Sequence, residues 1–455
     1  MNSSCNPSHF RNLSRRGFIQ VGTLGALGLS LGDYLQLQAL DSKIIGQPER
    51  KEAKAKNVIQ IFLPGGCSHL ESWDPKPDAP IEFRGPMGVV KTKIPGVVFS
   101  ESMQRCAQIV DKLTVIRTVV GKIPDHAQAQ YHVLTGYTPT PAIQHASMGA
   151  IVSHELGGLN QLPAWIGIPT GTLGPNAGYL PSKFGCFSLG ADPANKGFQV
   201  RDVSLPQNVT ADEFTKRQDM RSAVEAHFRK MDTDGVALDT MDDFYQKAYA
   251  LLGSTQAQNA FKLDGEPNHM LDLYGCAKYK AAKGKLVSAG ERLLLARRLV
   301  EAGARFVSVT YEGATGWDTH NRIKEAFQDN MPAFDHALAG LISDLDQRGL
   351  LDTTLVMVMT EFGRTPKMDS NTAGRAHHAR NFSMVLAGGG TTRGQIYGLS
   401  DATASEPSRD GITVEDFLAT AYGQLGIDSR KRLMAPGERP IDIIRDGKII
   451  KGLLA

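Results

Sequence analysis

What most constrains the fold of this chain is a set of short, mainly apolar runs, each stopped abruptly by glycine, proline or a polar residue. Val58-Ile59-Gln60-Ile61-Phe62-Leu63 ends in Pro64-Gly65-Gly66. It is apolar at both odd and even positions, the pattern of a strand buried on both faces. Similar runs stand at residues 113–118, 305–310, 355–360 and 383–386, and helical periodicity fills intervals at 127–134, 149–156, 285–302 and 323–348. A strand buried on both faces needs a layer on each side, so this alternation predicts an α/β fold with a mainly parallel sheet between helices. Ligands of such sheets gather beyond the carboxyl ends of the strands, so the segments following the apolar runs are where chemistry is expected.

The 455 residues are 41% apolar and 21% charged, ordinary globular composition with enough apolar material for one large core. The 50 basic and 47 acidic side chains leave a formal charge of +3. Neither sign forms a long run, which gives no basis for a nucleic-acid partner. Near the start, Ser14-Arg15-Arg16-Gly17-Phe18-Ile19 precedes a weakly apolar stretch at 21–31, the order of a twin-arginine export signal. Residues 1–40 are assigned to that signal, 41–56 to a charged linker, and 57–455 to a folded domain working in the periplasm or outside the cell. No small-x-small cleavage site is clear, so retention at the membrane by an uncleaved signal stays open. The five cysteines, Cys5, Cys67, Cys106, Cys186 and Cys276, form no CxxC pair. They give no support to a zinc ribbon and leave disulfides undetermined. Residues 205–282, with helix formers at 213–231 and 240–252, are expected to form a helical insertion, and the Gly/Pro-rich stretch 168–196 to form long loops.

Two consecutive strand ends carry residues of metal-ligand type. One leads through Glu312 to Trp317-Asp318-Thr319-His320; the other is Thr360-Glu361-Phe362-Gly363-Arg364, followed by Gly374-Arg375-Ala376-His377-His378. Carboxylate oxygen with imidazole nitrogen suits zinc, manganese or iron, and Asp318 and His320, two apart in a loop, can face one ion. Loop anchoring by hydrogen bonds is the plainer explanation for an Asp-x-His. Neighbouring side chains diverge, so one of His377 and His378 is expected inward and the other in support. Arg364 either pairs with Glu361 or clamps an anionic substrate. Pro124-Asp125-His126 opens the helix at 127–134, whose unpaired N–H groups favour an anion. Asp125 is a candidate N-cap or catalytic carboxylate, and His126 a candidate acid, base or nucleophile. In the first loop, after Gly65-Gly66, His69 is the candidate site member and Asp74, before Pro75, a turn former. Lys76, Arg364 and Arg375 offer substrate charge complementarity. Trp73 and Trp317 serve either as sugar platforms or as loop anchors.

These segments together resemble the bacterial family named domain of unknown function 1501, related to sulfatases and alkaline phosphatases. The resemblance runs from about residue 57 to the C-terminus through GGCSHLESWDPKP, DHAQAQYHVLTGY, GWDTHNR, MTEFGRTP, GRAHHARNFSMVLAGGG and TVEDFLATAYGQLGID. It implies an alkaline-phosphatase-like three-layer α/β/α sandwich, with His126 where a nucleophile sits. It also makes Asp318 and His320 ligands of one metal, Glu361 the acidic ligand of another, and the His377-His378 pair the late histidine. Two departures stand out: Gly65-Gly66 occupies the place of a bridging aspartate, with His69 and Glu71 nearest, and Ala376 stands where relatives carry Asp.

The expectation is a metal-dependent hydrolase of phosphate or sulfate esters, acting on a small anionic ester or a sulfated or phosphorylated glycan. Asp318, His320, Glu361, His377, His378 and His69 are its candidate ligands, for zinc or alternatively manganese or calcium, with Asp125, His126 and Arg364 in catalytic roles. The alternative is a non-catalytic exported binding protein that holds an anionic glycan or a protein partner. A hydrolase needs three ligands converging beside an open position, whereas a binding protein has them tied up internally. Oligomeric state is not readable.

Overall fold

The computed structural model describes residues 52–171, 173–200, 254–280 and 287–455, with a few positions between 210 and 220. The expected export signal, most of the expected linker, the expected helix at 240–252 and nearly all of that at 213–231 lie outside the described residues.

Nine strands of the described residues form one sheet. In chain order they are β1 Asn57–Phe62, β2 Thr114–Val120, β3 Trp165–Ile168, β4 Phe187–Ser188, β5 Phe306–Thr310, β6 Thr354–Met359, β7 Phe382–Ala387, β8 Gln395–Tyr397 and β9 Ile412–Thr413. Their spatial order is β8-β2-β7-β6-β1-β5-β3-β4, with β9 following β8 along the outer edge of β2. Every pairing is parallel except those of β7, which runs antiparallel to β2 and β6. The carboxyl ends of β1, β2, β5 and β6 therefore share one edge of the sheet with the beginning of β7.

Period-two alternation divides the strand side chains between two cores. Ile59, Ile61, Val307, Val309, Val356 and Val358 face one layer; Val58, Phe62, Phe306, Leu355, Met357 and Met359 face the other. The first core is closed by two helices, α3 Ala289–Glu301 and α4 Ile323–Gln347, and the second by α1 His126–Thr135, α2 Met148–Leu156 and α5 Val414–Gln424. Each helix has local reasons to begin or end. Asp125 caps α1 by accepting from Gln128 N–H and left-handed Gly136 ends it, while Thr413 and Asp416 form a capping box on α5. The architecture is a mixed, mostly parallel sheet flanked by helices.

Four marginal strands, β3, β4, β8 and β9, are not expected from the sequence: two to four residues give too little pattern to read. β4 lies inside the stretch expected to be loops. In the described part of the expected insertion, helices Thr255–Ala260 and Asn268–Tyr274 send Met270 and Tyr274 into the α3/α4 core. Cys67, Cys106, Cys186 and Cys276 are free thiols. No helix among the described residues is long and apolar enough to cross a membrane.

Candidate metal centre

The loop after β5 is fastened to α4 on one side and exposes Asp318 on the other. Trp317, fully buried, donates its indole N–H to Tyr311 O at 2.9 Å and packs against the Phe327 and Phe334 rings. Asn330 accepts from Ala314 N–H at 2.8 Å and donates to Gly316 O at 2.7 Å. With Trp317 turned inward the next side chain turns out, and Asp318 is 47% exposed. Trp317 is a loop anchor, and Trp73, buried edge-on against Phe99, is another.

The β1 loop runs directly beneath. Gly65 has φ +116°, and a Cβ there would stand 2.8 Å from Asp318 N, so only glycine permits this approach. Gly65→Ala is expected to cost about 2 kcal/mol or more and to weaken metal binding. Gly96→Ala, also at positive φ but with nothing within 4 Å, is expected to cost less and leave metal binding intact. Denaturant midpoints and metal titrations of the two variants check this.

Asp318 Oδ1 is the hub of a cluster. It lies 3.1 Å from His320 Nε2, 3.3 Å from His126 Nε2 and 3.4 Å from His377 Nε2. Tetrahedral zinc with bonds of ~2.0–2.1 Å sets its ligand atoms about 3.3 Å apart, so the spacing suits a metal. The outer nitrogens fix which ring atom faces inward. His126 Nδ1–H donates to Glu361 Oε1 at 2.7 Å, and His377 Nδ1–H donates to the carbonyl of Pro124 at 2.7 Å. A proton held on Nδ1 turns the Nε2 lone pair toward Asp318, that of His377 lying also within 2.9 Å of His320 Nε2, the arrangement by which carboxylates and carbonyls orient metal-bound histidines. His126 Nε2 is buried without a hydrogen-bond partner, a cost that a cation removes. His126, Asp318 and His377 thus form a site able to coordinate a divalent metal.

Each of these residues is held by the fold. Glu361, buried at the end of β6, also accepts from Gly65 N–H at 2.7 Å. Phe362 lies against the rings of His126 and His377, with centroids 4.9 and 4.6 Å away. Arg364 is fully buried, donating to Gly66 O at 2.9 Å, Arg375 O at 3.1 Å and Gly65 O, and forming an ion pair with Asp318. It sits under the cluster and positions Asp318. Partial burial alone would raise the Asp318 pKa, but the Arg364 hydrogen bond and charge, with His126 and His320, hold it below the usual carboxylate range. The hydrogen bond to Glu361 raises the His126 pKa against desolvation. Desolvation lowers that of His320, whose Nε2 is 2.9 Å from His377 Nε2.

Other candidates are placed elsewhere. The ribbon formed by Gly363–Arg364 and His377–His378 sends adjacent side chains to opposite faces, so His378 donates instead to Ser405 O at 2.7 Å. His69, fully buried, donates Nε2–H to Ala404 O at 3.0 Å. Asp125 is occupied as the cap of α1. Arg375 is buried against Glu71 at 2.9 Å, and Lys76 pairs with Asp74 at 3.0 Å. The contributions of Pro124 O and Gln130, whose side chain donates to Glu361 at 3.4 Å, had no signal in the sequence: a backbone carbonyl carries none, and Gln130 is one helix turn beyond His126.

Burial lowers the His69 pKa from 6.5 to about 4. Between these values the unfolded chain binds the proton and the folded chain does not. The contribution of neutral His69 is therefore complete above pH 6.5 and lost as pH falls toward 4, about 3 kcal/mol in all. Urea midpoints are expected to drop over that range, and His69→Gln to flatten the drop.

The family described as "Protein of unknown function (DUF1501)" matches residues 55–454. The chain belongs to this family. No curated protein matches this DUF1501 chain. Among solved structures it is similar to the PsFucS1 sulfatase from Pseudoalteromonas sp., at 14% identity over 86% of this chain and 71% of that one, TM-score 0.36. It is also similar to the C-terminal periplasmic domain of EcEptC from Escherichia coli, in complex with Zn, at 9% identity over 86% of each chain, TM-score 0.37. A third is the alkaline phosphatase from the Antarctic bacterium TAB5, at 12% identity over 74% of this chain and 92% of that one, TM-score 0.30.

Proposed function

We propose that this DUF1501 chain is an exported, metal-dependent hydrolase of phosphate or sulfate esters, with His126, Asp318 and His377 as metal ligands. The observation that carries the reading is the pair of imidazoles whose Nδ1–H groups are fixed outward, leaving Nε2 lone pairs aimed at one exposed carboxylate. Two nitrogens and one oxygen favour zinc or manganese over calcium, which prefers oxygen. A divalent ion there supplies Lewis-acid polarisation of an ester oxygen and a water acidic enough to ionise near neutral pH.

The chain's own residues do the rest. Glu361 and Pro124 O lock the two ring orientations, Arg364 holds Asp318, and Phe362 keeps water from the back of both rings. His320, half exposed at the mouth, carries or accepts the proton at Nε2 during ester cleavage. The exposed face of Asp318 favours a hydrolase over a binding protein, which needs no open position. Export rests on the Arg15-Arg16 segment and the apolar stretch after it.

Metal content of the purified protein, measured by mass spectrometry after zinc or manganese is supplied, tests this. Near one ion per chain, lost in His126→Ala and His377→Ala, together with hydrolysis of p-nitrophenyl phosphate or sulfate, is expected. A folded wild type that stays empty overturns the metal site, and a loaded protein inert on both esters overturns the hydrolase.

A further inference from the structure

Glu361, which the family resemblance makes the ligand of a second metal, is already committed. Its side chain is inaccessible to solvent, and Oε1 accepts from His126 Nδ1–H and from Gly65 N–H, each at 2.7 Å, with the Gln130 amide at 3.4 Å. Oε2 lies 3.3 Å from the Thr360 hydroxyl. Among the described residues, His126, Asp318 and His377 are the one group of three or more His, Cys, Asp or Glu side chains close enough together to share an ion.

What stands behind Asp318 is a cation of the protein's own. The fully buried Arg364 guanidinium donates Nε–H to Gly66 O at 2.9 Å and Nη1–H to Arg375 O at 3.1 Å, and from Nη2 it reaches both Gly65 O and Asp318 Oδ1. Three backbone carbonyls and one carboxylate oxygen are the surroundings that a hard metal cation takes. Here a guanidinium fills them, and it keeps its charge at neutral pH. Sequence features on two sides build this cage. Gly65 and Gly66 have φ +116° and +68°, which presents two successive carbonyls to the guanidinium, and a Cβ on Gly66 would stand 2.5 Å from the Phe362 ring and 3.3 Å from Arg364 Nε. Arg364 is the cross-strand partner of His377 in the two-residue ribbon, so the two side chains leave on one face and meet the same oxygen of Asp318. One register thus sets both the metal ligand and the buried cation. A second divalent ion among the same oxygens would face the guanidinium charge with no water between them, a repulsion that the low dielectric of a buried site makes large.

We propose that Arg364 takes the place of a second metal ion: the centre is built for one divalent ion, and a fixed guanidinium supplies the other positive charge on Asp318. The inference rests on the metal-centre reading. Arg364 is then a positioning residue that holds Asp318 ionised and aimed from behind, with no exposed face for substrate.

Two measurements on the full chain test this, and neither uses turnover. The first is ion stoichiometry in excess zinc or manganese, by native mass spectrometry, with one ion per wild-type chain expected. The second is metal titration of Arg364→Ala, with guanidinium chloride or urea added at matched ionic strength and well below denaturing concentrations. The variant is expected to bind metal about ten- to a hundredfold more weakly, to recover most of that loss with guanidinium, and to gain nothing from urea, which has a similar planar shape without the charge. A second ion on the wild-type chain, wild-type affinity in Arg364→Ala, or equal recovery with urea overturns the proposal. If the alanine variant does not fold, Arg364→Lys and Arg364→Met decide: the lysine variant, which keeps the charge, is expected to bind metal more tightly than the methionine variant, and equal affinities overturn the proposal. A wild type that takes up no ion overturns the metal centre itself, whereas one that takes up two overturns this inference alone.

Discussion

Asp318→Asn is expected to lower metal affinity and ester turnover by on the order of a hundredfold to a thousandfold with little loss of stability. The carboxylate is the point on which three imidazoles converge, and the amide removes its charge while keeping an oxygen to accept from Arg364. Asp318→Ala is a different experiment, because it strands the fully buried Arg364 without its partner and is expected to cost stability as well. Glu361→Gln should fall between, about ten- to a hundredfold, since it acts through the ring of His126. His378→Gln, whose ring points to Ser405 O, should leave metal affinity unchanged. Metal titration and steady-state kinetics on this series check the assignment. Equal losses in Glu361→Gln and His378→Gln would mean that the ring orientations do not matter and that the cluster is structural.

The largest expected effect on stability lies at Glu71. Both partners of the Glu71–Arg375 pair are inaccessible to solvent. The guanidinium also donates to Thr365 O at 3.0 Å and Phe83 O at 2.8 Å, tying the β1 loop to the segment that leads into His377. Glu71→Ala leaves a buried, uncompensated cation, and a loss of about 3–5 kcal/mol is expected from denaturant unfolding. The double replacement Glu71→Leu/Arg375→Met removes both charges and is expected to recover most of it. If the single variant proves no worse than the double, the pair has access to water that the structure does not show.

The central strands were legible because they are mainly apolar runs, and the long helices because their period is unmistakable. Strand direction was not: nothing in Phe382–Ala387 says that it runs against its neighbours, yet this reversal brings the chain before β7, and with it His377, to the site edge. Likewise GWDTH announced ligand chemistry, but which side chains turn outward depends on Trp317 being swallowed by α4, a tertiary fact. Whether Arg364 and Arg375 meet a substrate or an internal partner stayed open in the sequence, because charge is visible there and burial is not. The two adjacent histidines could be separated only by the register of a two-residue ribbon.

The position of β1 has a consequence for how the molecule comes into being. It is the first strand of the sheet in sequence, yet its neighbours on both sides belong to the later part of the chain: Val58 pairs with Phe306 and with Leu355. During synthesis both edges of this apolar strand stay unpaired until most of the polypeptide has emerged, a high-contact-order assembly that is slow and vulnerable to aggregation. The metal ligands are spread in the same way, from His126 to His377, so no nascent chain that stops short of His377 can hold the ion. A bound metal would thus be a certificate of completed folding, legible to any machinery that must tell finished chains from unfinished ones.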